Sequence, residues 1–223
     1  MIVGFVGFIG CGKDTAADYL VNFNGFRRDS FANTLKDAVS AVFGWDRTLL
    51  EGRTAESRAW RETRDIWWSE RLGREITPRW ILQYWGTEVC RQGFHDDIWI
   101  ASLEHKLQQS ADNVVISDVR FPNEISAIRR AGGKIFWIQR GDLPIWYQDA
   151  LRENTTHEHD QWLLEDAEQL MIQKYPLVHH SEWAWVGQQF DAVIDNNHSI
   201  QDLYSQIKNQ VQDHLASRDV LDA

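Results

Sequence analysis

A chain of 223 residues with 43% hydrophobic and 25% charged side chains has the composition of an ordinary soluble globular protein, long enough for one large core or a core carrying an inserted piece. Its 33 acidic against 23 basic residues leave a formal charge of −10, which repels polyphosphate backbones and anionic lipid and excludes nucleic acid and membrane as default partners. Cys11 and Cys90 are the only cysteines and read as reduced thiols of a cytoplasmic protein; no run reaches the roughly 18 apolar residues that span a bilayer.

Ile2–Val6 is a short apolar run of β-formers that ends at glycines and reads as a core strand rather than a signal peptide. Gly7 to Lys13 then spells G-x-x-x-x-G-K. Glycines let the backbone curl so that N–H groups face an anion, the following helix adds its positive end, and Lys13 adds a point charge. Such loops ordinarily continue with Ser or Thr, whose hydroxyl sits on magnesium. Here Asp14 comes next and Thr15 follows one place late. A carboxylate at that place can hold a magnesium-bound water or the ion itself, and Thr15 a donor phosphate; the simpler reading is an acid in a helix's first turn.

Lys13 to Phe23 and Phe31 to Phe43 have helical spacing, and Gly44 stops the second. Glu51 to Glu75 interleaves six arginines with six acids and predicts a salt-bridged helical face, with Trp60, Arg64, Trp67 and Arg71 in line. Helices are predicted over Pro78–Gln92 and Ile98–Leu107. Val114–Asp118 is a buried-strand pattern ending in a carboxylate, at the strand end where open parallel sheets bind ligands, and Arg120 two residues on suits phosphate. Phe121–Arg130 predicts a helix, Lys134–Gln139 and Ala192–Ile194 strands, and Ile200–Val211 a closing helix, with the polar tail after it frayed. The alternation implies an α/β fold with a parallel sheet covered on both faces. It is broken by 45–78, a helical substrate-side insertion, and by 141–185, which is rich in His, Glu, Asp and Trp and predicts a lid. The spacing of His157, His159, His179 and His180 fits no compact zinc ligand pair. Twelve tryptophans are read mainly as core.

Several of these stretches together resemble the phage deoxynucleoside monophosphate kinases, a branch of the P-loop nucleotide kinases: GFIGCGKDTAADYL, SFANTLKDAV, PRWILQYWGTEVCR, HDDIWI, SDVRFPNE, and HHSEW followed by DAVIDNNHS. Residues 144–178 match least. The resemblance implies a single three-layer P-loop kinase domain over 1–223 that uses ATP and Mg2+ to phosphorylate a deoxynucleoside 5′-monophosphate, as a monomer or homodimer in the host cytoplasm. It implies an ATP site of Gly10, Cys11, Gly12, Lys13, Asp14, Thr15, Arg140 and Asn196, with magnesium at Asp14 and Thr15, directly or through water. It implies monophosphate contacts from Lys36, Arg79, Gly86, Thr87, Trp99, Asp118, Arg120, Glu124, His179, Ser181 and Glu182, with Lys13, Asp118 and Arg120 at the chemistry. Trp99 is as readily a core residue as a platform for the base. Two other readings stand beside this one: a kinase for another phosphorylated acceptor such as dephospho-coenzyme A, and an ATP-binding module without transfer.

Overall fold

A computed structural model describes residues 1–109, 112–155, 171 and 173–219; the expectations on His157, His159 and the last four residues of the tail lie outside them. The chain divides into two compact units, a sheet unit of Met1–Asp29 with Asp112–Ala223 and a helical unit of Ser30–Ala111.

The sheet unit holds five parallel strands in the order β2-β3-β1-β4-β5: β1 (Ile2–Val6), β2 (Arg27–Asp29), β3 (Val114–Ile116), β4 (Lys134–Gln139) and β5 (Ala192–Asp195). Parallel strands need crossovers, and crossovers lay helices on both faces, so the central strands read as unbroken apolar runs. On one face Val3, Phe5, Val115, Phe136 and Ile138 join Ala16, Ala17 and Leu20 of α1 (Lys13–Phe23) and Leu203, Ile207 and Val211 of the closing helix Ile200–Asp219. On the other, Gly4 faces the Ile128 side chain of the helix Pro122–Arg130; a β-carbon on Gly4 would lie 2.8 Å from its methyl group, so the close approach needs glycine. This is the expected covered parallel sheet, and its β1-to-α1 turn is the glycine loop.

The helical unit contains α2 (Asn33–Phe43), a 3-10 turn at Leu49–Glu51, α3 (Ala55–Glu62), α4 (Ile66–Leu72), α5 (Pro78–Tyr84), a π-helical stretch Trp85–Gln92 and α6 (Ile98–Gln108). Its core is Leu35, Val39, Phe43, Trp45, Leu50, Ile76, Ile81 and Trp99, ringed by further tryptophans. Most of the tryptophans between 45 and 99 are therefore core, as expected. The single helical face drawn through Trp60, Arg64, Trp67 and Arg71 is not formed. Thr63 turns extended (φ −79°, ψ 135°) and Asp65 starts a new helix by accepting the Trp68 N–H at 2.9 Å. Competition by short polar side chains for backbone donors breaks the periodic run at those residues.

In the sheet unit the structure adds α8 (Tyr147–Thr155) and a 3-10 turn at His180–Glu182; the closing helix is α9 and the helix after β3 is α7. Parts of 141–185 are tightly packed: Ala150, Trp183, Ala184 and Trp185 are buried.

Candidate active site

Gly7 and Gly12 shape the loop. Gly7 has φ +144°, and a β-carbon there would lie 2.5 Å from the Ile138 carbonyl oxygen; Gly12 has φ +101°, and a β-carbon there would meet Asn196 Nδ2 at 2.4 Å. Only glycine combines that backbone with that closeness. Asn196, expected in the ATP site, donates from Nδ2 to the Cys11 carbonyl at 2.8 Å and pins the loop to the end of β5. Phe8 braces it from another side, with its ring 4.9 Å from Trp185 and 5.4 Å from Trp146. Sequence reading missed this brace, which depends on residues far away in the chain.

Lys13 folds back over the loop, donating to the Gly7 and Phe8 carbonyls at 2.6 and 2.9 Å and lying 3.7 Å from Cys11 Sγ. Burial pushes its ammonium below the ordinary lysine range; Cys11 and Asp14 pull the other way, and the positive charge of Arg120 adds to the lowering. Both contacts are to neutral carbonyls, which a phosphate oxygen can replace with a stronger charge-assisted bond.

Asp14 opens α1. Its Oδ1 accepts from Arg28 Nη1 at 3.0 Å and from the Ser117 hydroxyl at 2.9 Å, while the side chain as a whole stays 77% exposed. Arg28 Nη2 also donates to the Asp14 carbonyl at 2.8 Å and to Asp18 Oδ1 at 2.9 Å. Neither Arg28 nor Ser117 was singled out from sequence. Both lie at sheet positions, on β2 and just past β3, whose proximity only the strand pairing creates. The exposed carboxylate and the half-buried Thr15 offer the hard oxygen ligands that magnesium takes. Among the described residues no three His, Cys, Asp or Glu side chains gather as a metal cage. An ion here would therefore be held largely by nucleotide phosphates and water.

Arg120, Ser181, Glu182 and His179 are brought together. Arg120 Nη1 donates to Glu182 Oε1 at 2.7 Å and to Ser181 Oγ at 3.3 Å, and the Ser181 hydroxyl lies 2.9 Å from His179 Nδ1. Glu124 serves the start of α7, accepting the Arg120 and Phe121 N–H groups at 2.8 and 3.2 Å. Asp118 is half-buried two residues past β3, and Arg140 is exposed at the end of β4. His180 packs edge-to-face against Trp183, 4.4 Å between ring centroids.

In the helical unit Lys36 Nζ lies 2.8 Å from Glu51 Oε2, Arg47 pairs with the same carboxylate, and Arg53 stands 4.0 Å from it. Burial alone would push Glu51 up, but the hydrogen bonds and charges of Lys36 and Arg47 hold it below the ordinary glutamate range. A groove of about 620 Å3 opens here, lined by Asp37, Arg47, Thr48, Glu51, Arg53 and Ser57 among others. Arg79 is exposed and pairs loosely with Glu62 at 3.3 Å. Trp99 is core: only 8% exposed, it donates its indole N–H to the Gly86 carbonyl at 2.9 Å. Gly86 is buried and Thr87 exposed.

A parallel sheet whose first strand runs through a glycine loop into a helix, with a lysine over the loop and an arginine beyond the neighbouring strand, defines a P-loop phosphotransferase. No protein-family model matches the chain. Among curated proteins, one of Acanthamoeba polyphaga mimivirus with the provisional name deoxynucleotide monophosphate kinase is 31% identical over 221 residues, covering 93% of this chain and 94% of its own. The deoxynucleoside-5′-monophosphate kinase of Escherichia phage T5 is 29% identical over 179 residues, 58% of this chain and 72% of that one. The chain belongs to the deoxynucleoside monophosphate kinase family. Solved structures aligned with it include shikimate kinase from Aquifex aeolicus (10% identity, 97% of this chain and 99% of that one, TM-score 0.41) and TT1252 from Thermus thermophilus (15%, 96% and 97%, 0.43). At such scores the sheet order itself, not the alignment, describes the fold.

Proposed function

We propose that this chain transfers the γ-phosphoryl group of ATP to a deoxynucleoside 5′-monophosphate, giving the diphosphate and ADP. The observation that supports it best is the loop itself: Lys13 rests on two neutral carbonyls at the start of α1, in a chain of this family. Phosphoryl transfer asks a protein mainly to align two phosphates and offset their charge. On this reading Lys13 leaves the Gly7 and Phe8 carbonyls for the β- and γ-phosphates of ATP. Arg120 exchanges Glu182 for the transferring group, and Ser181 and His179 keep its guanidinium in place. Asp118, past the end of β3, serves the acceptor. Trp99 and Gly86 shape the core of the helical unit rather than touch the base, and Glu124 acts by fixing the start of α7. Asn196 steadies the loop near the nucleotide, and Arg140 reaches its phosphates.

Magnesium, when bound with ATP, supplies charge neutralisation across the β- and γ-phosphates; Asp14 and Thr15 are the residues that would hold it. Water is kept from the donor by the described parts of 141–185, where Trp146 and Trp185 pack on Phe8; the middle of the expected lid, 156–170, lies outside the described residues. The enzyme works in the host cytoplasm without nucleic acid or membrane. Among the described residues no helix is long and apolar enough to cross a membrane.

A coupled assay for ADP release against a panel of monophosphates and dephospho-coenzyme A tests the proposal. Turnover with deoxynucleoside monophosphates is expected. Turnover only with another acceptor, or ATP binding without turnover, would overturn it.

A further inference from the structure

Asp14 brings a full negative charge to the mouth of a loop built to bind phosphates, in the place where such loops carry a neutral hydroxyl. Like charges at a few ångströms oppose each other unless a third charge intervenes. The third charge is Arg28. The Arg28 side chain is 13% exposed, and among the described residues its side-chain hydrogen bonds run to α1: Nη1 to Asp14 Oδ1 at 3.0 Å, Nη2 to the Asp14 carbonyl at 2.8 Å and to Asp18 Oδ1 at 2.9 Å. The Ser117 hydroxyl completes the hold on the same Oδ1 at 2.9 Å.

We propose that Arg28 is the counter-charge that makes a carboxylate tolerable in this phosphate loop, a positioning residue for nucleotide binding that acts through Asp14. It neutralises the carboxylate against the incoming phosphates. With Ser117 it also takes up one carboxylate oxygen, so that the other is presented to solvent and to a phosphate-bound cation. A plain structural brace would need only the Arg28–Asp18 contact, which ties β2 to α1 without involving the loop. The inference rests on the reading of Gly7–Lys13 as a nucleoside-phosphate site, not on the identity of the acceptor.

The test is ADP affinity by titration calorimetry, in EDTA and in excess magnesium, for the natural chain, Arg28→Ala, Arg28→Lys, Asp14→Asn and the Arg28→Ala/Asp14→Asn pair. Arg28→Ala should weaken metal-free ADP about tenfold and magnesium-ADP less, because the ion supplies part of the missing charge. The metal-free loss should shrink in 1 M salt, where the screening length falls to about 3 Å. Arg28→Lys should recover part of it, and adding Asp14→Asn to Arg28→Ala should restore metal-free binding. An equal loss with and without magnesium, or a loss that Asp14→Asn leaves in place, would make Arg28 an ordinary brace and overturn the proposal. If Arg28→Ala does not fold, Arg28→Gln, which keeps donors without charge, carries the same comparison. Failure of the natural chain to bind ADP would overturn this inference and the function together. ADP binding without turnover of any deoxynucleoside monophosphate would count against the function alone.

Discussion

Lys13 decides most at the level of single residues. Burial disfavours its charged form, so in the free protein it gives up its proton at a lower pH than an ordinary lysine. The cost this places on folding is fully present below the folded value, begins to fall as pH rises through it, and is gone above the ordinary lysine value. Binding has the opposite trend, because only the charged form meets phosphates. The kcat/KM for ATP is therefore expected to fall on the alkaline side before the ordinary lysine range, and Lys13→Arg should move that limb to higher pH. Lys13→Met should lower turnover by about two orders of magnitude or more with the melting curve preserved, since the side chain meets neutral carbonyls and fills no core. Arg120 is held by Glu182 and Ser181. Arg120→Ala should depress kcat and raise the KM for the monophosphate more than that for ATP in initial-rate kinetics; a change confined to ATP would assign Arg120 to the donor.

Among elements, α4 depends on one side chain doing two jobs. Asp65 caps it through the Trp68 N–H at 2.9 Å and accepts the Trp45 indole N–H at 2.8 Å. Asp65→Ala removes the cap and orphans a largely buried donor, an expected loss of about 2 kcal/mol in a denaturant titration. The 3-10 turn Leu49–Glu51 depends on charge. Glu51 is held low by Lys36 and Arg47, so its contribution is present above the ordinary glutamate value and lost as pH falls through the folded one. Melting temperature against pH should drop on the acid side in the natural chain and flatten in Glu51→Gln. The continuation of α5 into the π-helical Trp85–Gln92 has a local cause as well. The Gly86 carbonyl turns to accept the Trp99 indole from outside the ladder, and an insertion of that kind widens a helix. Apolar spacing cannot show it, because the spacing of Pro78–Gln92 fits a plain helix equally well.

For the whole molecule, ligand binding and stability are linked: ADP at a hundredfold excess over its Kd should add about 2.7 kcal/mol to the state that binds it. Scanning calorimetry with and without ADP should show a raised transition in the natural chain and in Arg79→Ala, and little or none in Lys13→Met. A full shift in Lys13→Met would place the nucleotide elsewhere.

The sequence by itself determined the parallel sheet, the glycine loop and its lysine, because unbroken apolar runs and G-x-x-x-x-G-K are local patterns whose meaning does not depend on distant residues. Family motifs gathered Arg120, His179, Ser181 and Glu182, which the structure does bring together. Only the tertiary structure decided that Trp99 is core, that Asn196 holds the Cys11 carbonyl, and that Glu124 serves the start of α7. It alone showed that Arg28 and Ser117 close around Asp14. Strand β2 is three residues long, RRD, with no apolar alternation to betray it. It forms because pairing with β3 satisfies its backbone, and that pairing sets an arginine beside a carboxylate fourteen residues away in the chain and a serine 103 residues from it.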